Sequence, residues 1–279
     1  MPTLTQTHNI WDQVAKEYEE FSYDEKDANY PANTFRSKIL LDFFKTKPKG
    51  RVLDAGCGTG FMTRTLLKLG YEVVSVDSSK EMLSVAEEKT QNDGLKGEFH
   101  FASVDNLRLF EDASFDFVML NGVLPYFTEE AEVPVYEEIS RVLKRGGYLV
   151  CSHYNLFFDL FRMDKYTVSS ILGGILNDEK LNSSSLEIEE RLNEMLADAE
   201  YPCGDVRTMK VENPLIYKNK LEAYDFSELS QSFYNFYLVP PRVKAQSDNE
   251  VRKYLEETYR NDWRGLFLAK TFVSIAQKN

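Results

Sequence analysis

The run VLDAGCGTG at residues 52–60 constrains this chain most, because it sets Gly56, Gly58 and Gly60 at alternate positions between two apolar segments. RVLDA before the turn reads as a buried strand. FMTRTLLKLG after it reads as a helix that Gly70 ends with a left-handed cap. Glycines in such a strand-to-helix turn let a compact ligand approach backbone donors closely. A dinucleotide loop needs its third glycine at position 61, which is Phe here, so NAD is disfavoured. No Lys stands where a nucleoside-triphosphate loop requires one, so ATP hydrolysis is excluded. Asp54, before the first glycine, and Asp77, at the end of YEVVSVD, place two carboxylates above the sheet. One can face an ammonium group and the other a ribose diol.

From Arg51 onward short apolar runs alternate with helical ones, the pattern of strand, helix, parallel strand units. YEVVSVD is the second strand, and Ser78 with Glu81 predicts a capping box at the start of the following helix. EFHFAS, FDFVML and GGYLVCS read as the third, fourth and fifth strands, with a helix over EEAEVPVYEEISRVLK. QSFYNFYLVPP and WRGLFLAKTFVSIAQK give two late strands, the second expected at the sheet edge. The fold class is therefore α/β, a doubly wound, mostly parallel seven-stranded sheet with a helical cap inserted after strand 5. The expected divisions are a helical lid at 1–50, a core at 51–152, a cap at 153–212 and a closing segment at 213–279.

With 33 Lys and Arg against 45 Asp and Glu, the net charge of -12 argues against a broad nucleic-acid or anionic-membrane footprint. A small or neutral partner is favoured. Cys57, Cys151 and Cys203 form no CxxC pair and have no histidine at a ligand spacing, so neither a disulfide framework nor a zinc site is expected. No basic start followed by an apolar stretch opens the chain, and no uncharged run reaches the roughly 17 to 25 residues of a membrane span. A cytoplasmic monomer or homodimer is the expectation.

DAGCGTG, the strand-end acid of VVSVD, the helix start SSKEML, the strand DASFDFVML and VLKRGGYLV together resemble the successive motifs of class I S-adenosylmethionine-dependent methyltransferases. The resemblance covers about residues 9–152 and implies their Rossmann-like fold and S-adenosylmethionine as cofactor, with S-adenosylhomocysteine as product. It implies that backbone from Ala55 to Gly58, including Gly56, faces the methionine part, with Asp54 near the amino group. Asp77 would accept from both ribose hydroxyls, and Ser78 and Met82 would lie beside the adenine. The adenine edge falls to Ser103 and Val104, or to Asp105 on a shifted register. Asn121 and Gly122 would support the methionine portion. Trp11 and Tyr18 resemble an aromatic helix that covers the cofactor, and Arg36 from the same lid would meet the methionine carboxylate.

The implied reaction is in-line transfer of a methyl group to a small-molecule acceptor, for which alignment matters most and no metal is needed. An acceptor hydroxyl or ammonium needs a base. His153, directly after the fifth strand, is the first candidate because its ordinary pKa lies near 6.5. Tyr126, in NGVLPYF, is the second, as a group touching acceptor or cofactor. His8 and His100 are expected to be structural or exposed, and Glu129, Glu130, Glu132, Glu137 and Glu138 to form a solvated helix face. Aromatic residues such as Tyr154, Tyr217, Tyr234 and Tyr237 should fill the core and wall part of a substrate cavity. A protein or tRNA methyltransferase, and a non-catalytic binding module, are the alternatives.

Overall fold

A computed structural model describes residues 11–19, 32–172, 182–196, 209–241 and 249–279. His8 and Cys203 lie outside the described residues.

The glycine turn and its flanks form as the sequence predicts. β1 (Arg51–Ala55) leads through Gly56, Gly58 and Gly60, all at positive φ, into α2 (Phe61–Lys68). α1 (Ala32–Lys45) precedes β1, and Gly70 after α2 adopts φ 86°. β2 (Glu72–Asp77), β3 (Glu98–Phe101) and β4 (Phe115–Leu120) follow, and β5 (Leu143–Asn155) extends past the expected end at Ser152. α3 (Lys80–Asn92) and α4 (Glu129–Val142) link them, with a 3-10 turn at Leu124–Tyr126 ahead of α4.

The expected cap on α3 shifts by one residue. Ser79, not Ser78, is the N-cap: its Oγ accepts from the Met82 amide at 3.0 Å, while its own amide donates to Asp77 Oδ1 at 2.9 Å. With Ser79 as the cap, position N3 is Met82, which has no acceptor to complete a capping box, and Asp77 accepts the cap amide instead.

Along the sheet the order is β3-β2-β1-β4-β5-β8-β7, where β7 is Phe226–Phe236 and β8 is Ala269–Lys278. The first five strands are parallel, and β8 runs antiparallel to both its neighbours. The last strand is therefore not the edge. β8 is almost wholly buried, as an inner strand with covered faces must be, whereas β7 has exposed positions over Ser227–Ser230 and takes the edge. A short β6 (Val211–Glu212) pairs with the end of β5.

Two apolar layers sandwich the sheet. Ile39, Leu40 and Phe44 of α1 and Leu66 of α2 pack with Val52, Phe117 and Val150 on one face. On the other, Val135, Tyr136 and Ile139 of α4 pack with Leu53, Val118, Cys151 and Phe272. After β5 come α5 (Leu156–Arg162), α6 (Lys165–Ser170) and α7 (Asn182–Leu196), then α8 (Tyr217–Glu222) before β7, and α9 (Asn249–Tyr259) and α10 (Gly265–Leu268) before β8. Asn155 ties this insertion to the sheet: Oδ1 caps α5, and Nδ2 donates to the carbonyls of Gly265, Leu266 and Ala269. No described helix is long and apolar enough to cross a membrane.

Candidate active site

Above the carboxyl ends of β1, β2 and β4 lies a cavity of about 310 Å³, which is where ligands bind in doubly wound sheets. Its floor is the glycine turn. Gly56 and Cys57 amides both donate to Val76 O, at 2.8 and 3.0 Å, which pins the turn to the end of β2. Gly56 has φ 78°, and a Cβ there would lie 2.3 Å from Val123 Cγ2, so only glycine fits. A Cβ on Gly58 would meet nothing within 4 Å.

Asp54 and Asp77 both line this cavity but sit in different environments. Asp54 is 1% exposed, and its Oδ2 accepts from Thr63 Oγ1 at 2.6 Å, with Thr63 in turn 2.9 Å from Ser75 Oγ. Burial, with the nearby Asp77 charge adding to it and the Thr63 bond opposing, pushes the Asp54 carboxyl up to about 7. Asp77 Oδ2 accepts from the Gly58 amide at 2.8 Å, so the strand-end acid organises the glycine loop as well as the α3 cap. A carboxylate offers about four lone-pair positions, so these two amide bonds leave acceptor capacity for a diol.

Ser78, Met82, Ser103 and Val104 form the wall beyond Asp77. Of the two registers, Ser103 and Val104 line the cavity and Asp105 does not. Asn121 and Gly122 close the β4 side, Gly122 at φ 81° with its amide donating to Ser152 Oγ at 2.8 Å. Asn121 Oδ1 is buried without a hydrogen-bond partner, an acceptor of the kind that a ligand ammonium satisfies. Tyr18 and Arg36 reach the same cavity from the N-terminal segments. Ala55 does not: it is fully buried in the core, and the lining passes from Asp54 directly to Gly56.

The orphaned Asn121 oxygen, the open space at Gly58 and the Asp77 carboxylate fit the ammonium, methionine chain and ribose of S-adenosylmethionine in turn. Asp54 would hold the amino group and Arg36 the carboxylate.

His153 requires a correction. Although it borders the cavity, strand alternation turns its ring to the opposite face from Ser152 and Tyr154. Its Nε2 lies 3.3 Å from Cys151 Sγ, and its ring packs 4.4 Å from Tyr217 and 5.0 Å from Phe272. Burial, with Lys210 and Lys220 adding to it, holds the imidazole well below its usual range. It stays neutral through the pH range where a general base was expected to titrate.

Tyr126 does face the cavity, edge-on to Trp11 with ring centres 5.5 Å apart. Burial first, then the Tyr154 and Tyr18 neighbours, raise its phenol above the usual value, so it can donate a hydrogen bond but is a poor base. Tyr154, Tyr234, Asn235 and Thr271 complete the wall. Tyr154 was expected only as one of many aromatics. Its period-two relation to Ser152 along β5 carries the signal that singles it out. Asn235, at φ 63° within β7, has no such local cue.

Glu132 also departs from expectation. It is 3% exposed and joins buried Lys210 and Glu212 and part-exposed Lys220 in a four-charge cluster, where the Lys210 amide donates to Pro125 O. His100, in β3, pairs with Glu98 at 2.6 Å, away from the cavity. Among the described residues no cluster of three or more His, Cys, Asp or Glu is placed to hold a metal.

Comparison with known proteins bears on this arrangement. Residues 53–151 match the family model for a methyltransferase domain. A putative methyltransferase of Geobacillus sp. is 33% identical over 172 residues, covering 59% of this chain and 66% of that one. Demethylmenaquinone methyltransferase of Staphylococcus aureus is 31% identical over 166 residues, covering 52% and 59%. Among solved structures, magnesium protoporphyrin IX methyltransferase from Synechocystis with bound S-adenosylhomocysteine superposes with a TM-score of 0.60 at 15% identity, covering 99% of both chains. The chain thus spans less than two thirds of the length of these curated relatives.

Proposed function

We propose, from the premise that this chain belongs to the class I S-adenosylmethionine-dependent methyltransferases, that it moves the methyl group to a small-molecule acceptor within the cavity above β1, β2 and β4. The observation that carries this reading is the convergence of Asp54, Asp77, the open Gly58 and the unsatisfied Asn121 oxygen on one cavity.

S-adenosylmethionine, when bound, supplies a methyl group already activated by its sulfonium. The chain's own residues then orient and enclose. Asp77 fixes the ribose, Asp54 and Asn121 the ammonium, and Ser103 and Val104 the adenine edge. Trp11, Tyr18 and Tyr126 exclude water from the opposite side. Such alignment without added chemistry is what an in-line displacement needs.

A small acceptor suits the net charge of -12, which opposes a phosphate backbone. The quinone and porphyrin acceptors named for the relatives above lie within that class. With the His153 ring turned away and Tyr126 held protonated, Tyr126 and Tyr154 act as hydrogen-bond donors that position the acceptor. Proton removal is then left to solvent or to an acceptor that is already nucleophilic.

Calorimetry with S-adenosylhomocysteine tests the cofactor assignment. Wild type should bind one molecule per chain. Asp77→Ala should weaken binding at least tenfold, since each hydrogen bond to an ionised group contributes about 1.5 to 3 kcal/mol. Equal affinity of the two proteins would remove Asp77 from the site, and preference of wild type for NAD would remove the cofactor.

A further inference from the structure

Residues 11–19 contribute Trp11 and Tyr18 to the lining of the cavity. Apolar packing alone does not hold them there. Near one end, Asp12 Oδ1 accepts from Ser79 Oγ at 2.5 Å, and Ser79 is the residue that caps α3. At the other, both carboxylate oxygens of Glu19 accept from Arg64 Nη2 at 3.0 Å, and Lys89 Nζ lies 3.0 Å from Glu19 Oε2. The Arg64 and Glu19 side chains are 11% and 17% exposed, so solvent screens this pair far less than a surface one.

Arg64 has a second bond. Its Nη1 donates to Thr59 O at 2.8 Å, and Thr59 belongs to the glycine turn on the cavity floor. Glu19 also hydrogen-bonds the Thr59 side chain. One guanidinium therefore joins this N-terminal strap to the glycine turn. Asp93, 3.5 Å from Arg64 Nε and 2.7 Å from Lys68 Nζ, balances the remaining positive charge.

We infer that Glu19 is a positioning residue, a latch that couples closure of the N-terminal strap to the glycine turn and so sets how fast the cofactor product leaves. The inference rests on the reading that this cavity holds S-adenosylmethionine and its product. It does not require Glu19 to touch either one. With the latch made, Trp11 and Tyr18 lie across the ligand's exit. Its opening requires separation of Glu19 from Arg64 and Lys89, so release slows without any new contact to the ligand.

Trp11 lines the cavity and the chain has two tryptophans, so a Trp263→Phe background leaves Trp11 as reporter. In that background, dissociation of S-adenosylhomocysteine into excess competitor should accelerate about tenfold on Glu19→Gln and about threefold on Lys89→Gln, which keeps the Arg64 bond. Raising NaCl from ~0.1 M to ~1 M, which cuts the screening length to about 3 Å, should speed release from the parent modestly, through the more exposed Lys89–Glu19 pair, and leave Glu19→Gln nearly unchanged. A merely structural role would alter melting temperature and leave the salt response intact.

Release from Glu19→Gln within twofold of the parent, with the same salt response, would overturn the latch. Should Glu19→Gln not fold, an unchanged rate and salt response in Lys89→Gln would overturn it equally. Failure of the parent to bind S-adenosylhomocysteine at all would instead overturn the cofactor reading on which the latch depends.

Discussion

Asp54 shows at single-residue scale how burial and function pull against each other. Its carboxyl is raised from the ordinary 3.8 to about 7, with burial the chief cause. Between those values the folded state keeps a proton that the unfolded chain releases, so this group's contribution to stability falls as pH rises from about 4 to 7. His153 has the opposite sign. Its pKa is depressed below 6.5, so the stability it provides is present above that pH and is lost as pH falls. Comparison of wild type with Asp54→Asn isolates the first effect: the variant should melt higher at pH 8 and lose the advantage near pH 4. An ammonium beside Asp54 reverses the preference toward the ionised form. S-adenosylhomocysteine affinity should therefore fall by up to about tenfold per unit as pH drops below 7. Calorimetry on Asp54→Asn should give weaker binding that is flat over that range. A flat profile in wild type would place the amino group elsewhere.

At the scale of elements, the glycine turn was the most legible feature and the sheet edge the least. The turn is local: φ 78°, 55° and 75° at Gly56, Gly58 and Gly60 follow from an ascending strand that must reverse into a helix over its own end. The first two glycines differ in what surrounds them, and this yields a prediction. Alanine at either carries a left-handed backbone cost of about 1 to 2 kcal/mol, but only at Gly56 does the new methyl collide, 2.3 Å from Val123. Gly56→Ala should melt well below Gly58→Ala, whereas Gly58→Ala should lose ligand affinity out of proportion to its stability. Thermal unfolding and calorimetry on the pair would check this, and equal melting temperatures would contradict it. The α3 cap sits one residue later than expected, with Ser79 Oγ accepting from Met82 and Asp77 holding the Ser79 amide, a choice between adjacent serines that helical periodicity does not encode. Nor does local sequence say that β8 slips between β5 and β7, since strand order depends on which faces the helices cover.

Over the whole molecule, the half that carries the family motifs could be read closely and the other half only in outline. Asp54, Gly56, Gly58, Asp77, Met82, Asn121 and Gly122 all reached one cavity because β1, β2 and β4 are parallel and end at the same level. Tyr234, Asn235 and Thr271 join them across more than a hundred residues of chain, through antiparallel pairing that the sequence does not announce. His153 borders the cavity, but one step of strand alternation turns its ring to the other face. Glu132 looked solvated because its cationic partners, Lys210 and Lys220, lie some eighty residues away. The carboxyl edge of the sheet, the N-terminal segments and the ends of β7 and β8 line one cavity, and the central claim is that methyl transfer to a small acceptor takes place there. The most direct test is to incubate the protein with methyl-labelled S-adenosylmethionine and a small-metabolite extract, and to follow the label by mass spectrometry. Label in a low-mass product, with matching release of S-adenosylhomocysteine that is lost in Asp77→Ala, is the predicted result. Binding of the cofactor with no labelled small molecule, or label confined to protein or RNA, would contradict it.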